Sequence, residues 1–191
     1  FFCRHGKRHC DRGRYLLDFR NPEVRQYATD TLDRLIRDYG VGYFKIDYNV
    51  TPGIGTDVNS DSCGDGLLDH IRALYGWHRE MLDRHPGLIL ENCGSGGQRM
   101  DYGILQTLSL QSITDQTDFR YNARIAAAAA AVAPEQAGCW VYPYEDSRGH
   151  ILCNMVGGIL LRPYISGQVW NLPQESLDLL REGISVYKSI R

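Results

Sequence analysis

Short apolar runs and amphipathic stretches alternate along almost all of the 191 residues, and this alternation restricts the folds open to the chain more than any other feature. The pattern predicts a short strand at Tyr15 to Phe19, then a helix opened by Asn21-Pro22-Glu23 and closed by Gly40, then a strand from Gly42 to Asn49. A Gly/Asp/Ser/Asn loop from Val50 to Gly66 leads to a helix over about Leu67 to Arg84, stopped by His85-Pro86-Gly87, and to strand Leu88 to Cys93. A helical turn at Asp101 to Leu105, strand Leu108 to Thr114, a helix from about Asn122 to Val132 and strand Gly138 to Val141 follow. A helix from about His150 to Leu161, strand Ile165 to Trp170 and a last helix from Gln174 complete the pass. Such order calls for parallel strands joined by crossover helices, in an open doubly wound sheet or a barrel. The expected fold class is α/β, with about six β-α units where a complete (β/α)8 TIM barrel takes about 250 residues, so the barrel would be partial.

Within this frame the polar residues fall at the carboxyl ends of strands, where both architectures place ligands. Alternation puts Lys45, Asp47 and Asn49 on one face of their strand and Phe44, Ile46 and Tyr48 on the other. A Lys and an Asp in a strand buried on both sides are costly unless paired or used. Cys93 with Gly94-Ser95-Gly96-Gly97, and Asp115 with Asp118, end two further strands. The glycines lack the spacing of a phosphate-binding loop and are read as letting backbone amides come against a flat or crowded ligand, or as a plain turn after a strand.

Two carboxylates on different strands, with no His or Cys ligand set beside them, suit paired-carboxylate catalysis better than a metal centre. In glycoside hydrolysis one carboxylate attacks or activates water while the other protonates the leaving oxygen; a separation of about 5–5.5 Å goes with retention and about 6.5–9.5 Å with inversion, and spacing in sequence selects neither. Lys45 would favour the ionised form of Asp47 and could donate to a sugar hydroxyl, whereas a proton donor at Asp115 should be less compensated and more desolvated. Trp77, Trp140 and Trp170 are read as core aromatics.

Composition narrows the class of partner. With 43% hydrophobic and 23% charged residues and a net charge of −2, the chain offers no electrostatic reason to expect nucleic acid or an anionic membrane. The Ala-rich stretch around residues 126–133 is too short to span a bilayer and is read as a closely packed helix. Six cysteines without CxxC spacing fit reduced thiols in the cytoplasm, with neither zinc nor redox chemistry. The sequence opens at Phe1 without Met or a signal-peptide pattern, which fits a processed product or, as expected here, a fragment of something longer.

Three segments carry a family resemblance: Tyr43-Phe44-Lys45-Ile46-Asp47-Tyr48-Asn49, Glu91-Asn92-Cys93-Gly94-Ser95-Gly96-Gly97-Gln98-Arg99-Met100-Asp101, and Ser112-Ile113-Thr114-Asp115-Gln116-Thr117-Asp118. In order and spacing they resemble the signature segments of the family 36 glycoside hydrolases, the melibiase or α-galactosidase family. Pro134-Glu135-Gln136-Ala137 with Trp140, and the last ten residues, look like later stretches of the same barrel. The resemblance implies a retaining α-galactosidase acting on α-galactoside oligosaccharides, with Asp47 as nucleophile and Asp115 as acid/base. It implies sugar binding by Lys45, Asn49, Cys93, Gly96 and Arg12, and an accessory role for Asp118. It implies neither cofactor nor metal, and a full-length parent that is a homo-oligomer. Residues 1–191 would then be a piece of the catalytic barrel without its first strands and flanking β domains, inactive when isolated.

Ile46 and Val50 stand where many members have Trp and Arg, and the third segment reads ITDQTD in place of TSDDTD, which leaves the carboxylates but opens the substrate. The alternatives are an α-N-acetylgalactosaminidase, a β-L-arabinopyranosidase, a raffinose-type transglycosylase, or a catalytically idle sugar-binding barrel.

Overall fold

The computed structural model describes residues 1–144 and 147–191, which fall into two compact units. The first comprises Phe1–Gly94 with Tyr102–Leu108, and the second Ser95–Asp101 with Ser109–Arg191.

The first unit opens with two small antiparallel hairpins, β1 (Cys3–Arg4) with β2 (Lys7–Arg8) and β3 (Cys10–Asp11) with β4 (Arg14–Tyr15). Their two-residue turns, His5-Gly6 and Arg12-Gly13, have positive φ at both positions, the backbone twist that suits tight hairpins. The expected strand at Tyr15 to Phe19 is therefore corrected: pairing ends at Tyr15, and residues 16–18 lie outside any strand. Helix α1 (Pro22–Tyr39) begins as expected, with Asn21 accepting Glu23 N–H and Gly40 closing it in the left-handed conformation at φ 67°. Strand β5 (Tyr43–Asp47) follows, then α2 (Cys63–Arg84), which starts a turn earlier than Leu67 because the Ser62 side chain accepts Asp65 N–H. Strand β6 (Ile89–Cys93) runs parallel to β5, and α3 (Tyr102–Thr107) completes the unit. One face of the pair is apolar: Phe44, Ile46 and Leu90 pack with Leu74, Trp77, Met81 and Ile104 from the helices, Leu88 before β6 and Leu108 just after α3.

The second unit carries three parallel strands, β7 (Leu110–Ser112), β8 (Ala137–Val141) and β9 (Arg162–Ile165). Helix α4 (Asn122–Ala126) is shorter than the Ala-rich pattern suggests: the chain tightens to 3₁₀ over Ala127–Ala130 and stops before Pro134. Helices α5 (Arg148–Ile159), capped by Ser147, and α6 (Gln174–Ile190) bury Val141, Ile151, Met155, Leu179 and Leu180 in one cluster. The last strand sits at 162–165, not 165–170; residues 169–171 form a 3₁₀ turn that leaves Trp170 76% exposed, so that tryptophan is not a core residue. Trp77, at 3%, is one.

Candidate active-site residues

In the first unit the parallel register sets Lys45 beside Glu91 and Asp47 beside Cys93, on the face of β5 and β6 opposite the helix-packed Phe44 and Ile46. Lys45 Nζ lies 3.3 Å from Glu91 Oε1, and Tyr43 Oη donates to Glu91 Oε2. Glu91 is buried, so its charge depends on those two partners. The pairing assigns Lys45 to Glu91, a residue that carried no role in the sequence reading, although a Glu in an apolar strand opposite a Lys was its signal. Asp47, at the end of β5, is exposed, and Asn49 two residues on is half-buried. Cys93 is buried, and its carbonyl accepts Tyr48 N–H at 3.2 Å, extending the ladder past Asp47. Arg12 sits exposed in the β3–β4 turn at φ 50°.

In the second unit Gly96 is buried at φ 75°. A Cβ there would come 2.7 Å from Thr114 Cα and 3.0 Å from Asp115 N, so the missing side chain lets the backbone pack against the loop that bears Asp115, a chain contact where the sequence suggested approach to a ligand. That loop is shaped by its own side chains: Thr114 Oγ1 accepts Gln116 N–H at 3.0 Å, and Gln116 Oε1 accepts the N–H groups of Thr117 and Asp118 at 3.1 and 3.0 Å. Asp115 is exposed, which corrects the expectation of a desolvated proton donor; a short turn beyond the strand end leaves its side chain to water. Asp118 accepts both the backbone N–H of Arg120, at 3.0 Å, and its guanidinium, at 2.9 Å, and these bonds hold its carboxyl below the usual range.

Among the described residues, no group of three or more His, Cys, Asp or Glu could hold a metal ion, and no helix is long and apolar enough to cross a membrane.

In each unit helices cover one face of the parallel strands and polar residues stand at or just past the strands' carboxyl ends, the build of an α/β barrel segment. The chain belongs to the Melibiase family, which it matches over residues 3–141. It is 30% identical over 109 residues to alpha-galactosidase 2 of Pediococcus pentosaceus, covering 56% of this chain and 15% of that protein. It is 23% identical over 194 residues to alpha-galactosidase Mel36A of Lactobacillus acidophilus, covering 97% of this chain and 26% of that one. A variant of the family 36 α-galactosidase AgaA of Geobacillus stearothermophilus, solved in complex with raffinose, superposes on 99% of the chain with a TM-score of 0.84 at 17% identity, over 27% of its own length. The fold is that of part of a (β/α)8 barrel, and the chain spans about a quarter of these longer relatives or less.

Proposed function

We propose that these residues carry the rim of a retaining α-galactosidase that removes terminal α-linked galactose from melibiose- and raffinose-type oligosaccharides. The observation that carries the reading is the Melibiase match over residues 3–141, a span that holds every candidate side chain named above. The names of the relatives, and the raffinose bound to the AgaA variant, support the substrate class.

In this reading Asp47 attacks the anomeric carbon while Asp115 protonates the departing oxygen. Water then enters with Asp115 as base, and two inversions restore the starting configuration. Both carboxylates are exposed at strand ends, which suits groups that must meet a substrate entering from solvent. Lys45, oriented by Glu91, donates to galactose hydroxyls together with Asn49 and Arg12, while Cys93 and Gly96 line the sugar. Asp118 keeps the Asp115 loop in shape through Arg120.

The 191 residues are proposed as one part of the catalytic barrel, lacking its first strands and flanking β domains, because the relatives are roughly four times longer. The isolated chain should then be inactive, the full-length polypeptide a homo-oligomer, and its compartment the cytoplasm, in keeping with six free cysteines. The test is hydrolysis of a chromogenic α-galactoside by the full-length polypeptide. Asp47→Asn should abolish turnover with the fold intact, and Asp115→Asn should spare the first step only for good leaving groups; undiminished activity in either variant defeats the assignment.

A further inference from the structure

Strand β8 presents Cys139 and Val141 on its helix-covered face, Val141 lying in the cluster with Ile151 and Met155, so Trp140 and the following Tyr142 belong to the opposite face. There they begin a train of aromatic rings. Trp140 contacts Tyr164 of β9 edge to face at 5.5 Å, Tyr142 lies 5.7 Å from Trp140, and Tyr144 stacks on Tyr142 at 5.0 Å with 21° between the planes. The train runs from the body of the strand out past its carboxyl end. Tyr144, its last member, is 54% exposed. Gly167, at φ 84° in the turn after β9, backs the outer pair: a Cβ there would lie 3.0 Å from Tyr144 Cε1 and 3.3 Å from Tyr142 Cδ1, so a larger residue would push the rings out of place. Because β7 and β8 are parallel, this end of β8 and the Asp115 loop after β7 lie on the same edge of the second unit.

We propose that Tyr142 and Tyr144 form a stacking platform for the pyranose ring of the leaving sugar, an acceptor-side subsite that reads what galactose is attached to. The inference rests on the α-galactosidase reading for its place in the reaction. A pyranose offers a face of C–H groups that packs on an aromatic ring, and a ring already stacked on a neighbour keeps its orientation when the ligand arrives, so little ordering cost is left to binding.

The test compares two substrates of the full-length polypeptide, raffinose and α-galactosyl fluoride, the second having no leaving sugar. Tyr144→Ala should lower kcat/KM for raffinose about tenfold, the scale of one lost ring stack, and leave that for the fluoride within about twofold; Tyr144→Phe should behave as the unchanged protein. Equal losses on both substrates, no loss on raffinose, or a Phe variant as impaired as the Ala variant would overturn the platform. If the unchanged protein turns over neither substrate, the α-galactosidase reading fails separately. The platform is then judged by tryptophan emission during titration with sucrose: a change that Tyr144→Ala removes supports it, and no sucrose-dependent change overturns it.

Discussion

Lys45 Nζ is held 3.3 Å from the buried Glu91 carboxylate, two residues along the register below the level at which Asp47 sits beside Cys93. This contact fixes a cation just beneath the proposed nucleophile and gives Glu91 a positioning role. Glu91→Gln, which keeps the size and removes the charge, should cost roughly 1–3 kcal/mol in urea unfolding and raise KM for galactosides more than it lowers kcat. Lys45→Met leaves a buried carboxylate without its counter-charge and should cost more, about 3–5 kcal/mol. Equal stability in both variants would remove the ion pair from the account.

Gly96 supports the Asp115 loop by having no side chain. At φ 75°, with Thr114 Cα only 2.7 Å from where a Cβ would sit, Gly96→Ala combines backbone strain with a clash against main chain that has no flexible end to yield. The expected loss is roughly 2–5 kcal/mol, with kcat falling beyond what the unfolded fraction explains because the Asp115 loop is displaced. Thermal melts paired with kinetics below the transition check both parts.

Acid should weaken the first unit in two stages. Burial holds His78 neutral, lowering its pKa from 6.5 to about 4. An unfolded chain binds that proton more readily, so the stability tied to neutral His78 is present above about 6.5 and is lost as pH falls toward 4, roughly 3 kcal/mol in all. Asp18 adds the second stage. Burial alone would raise its pKa, but the neighbouring His70 ring and the Arg20 guanidinium outweigh it, and the carboxyl is held well below the usual range. His70 Nδ1 stands 3.7 Å away and accepts Phe19 N–H at 3.1 Å, whereas Arg20 donates to both Asp18 oxygens at 2.7–3.1 Å, so the guanidinium carries the larger share. Its contribution is present above the unfolded carboxyl value and fades as pH drops through about 4 and below. Urea midpoints between pH 7 and pH 3 should show His78→Leu flattening the upper stage and Arg20→Met the lower.

Strand order and helix starts were readable wherever one strong local signal decided them. Asn21-Pro22 opened α1 and Gly40 closed it, and the alternation put Phe44 and Ile46 on one face of β5, the face that packs against the helices. The opening hairpins escaped because His5-Gly6 and Arg12-Gly13 are short turns between two-residue strands with no apolar period to expose them. The Ala-rich run misled in the other direction, since alanine favours helix while nothing in its side chain anchors one to a core. Of the candidate site, the residues themselves stood out as polar groups in strand ends. Their partners did not: Glu91 beneath Lys45, and Thr114 against Gly96, are set by register and close packing, which only the folded backbone supplies.

In the proposed mechanism everything turns on a covalent bond between Asp47 and galactose. The most direct measurement treats the full-length polypeptide with a fluorinated α-galactosyl fluoride, which slows breakdown of the intermediate, and maps the labelled peptide by mass spectrometry. A single fluorogalactosyl adduct on Asp47 that disappears in Asp47→Asn is the expected result. An adduct on any other residue, or turnover that inverts the anomeric centre with no adduct, would contradict it.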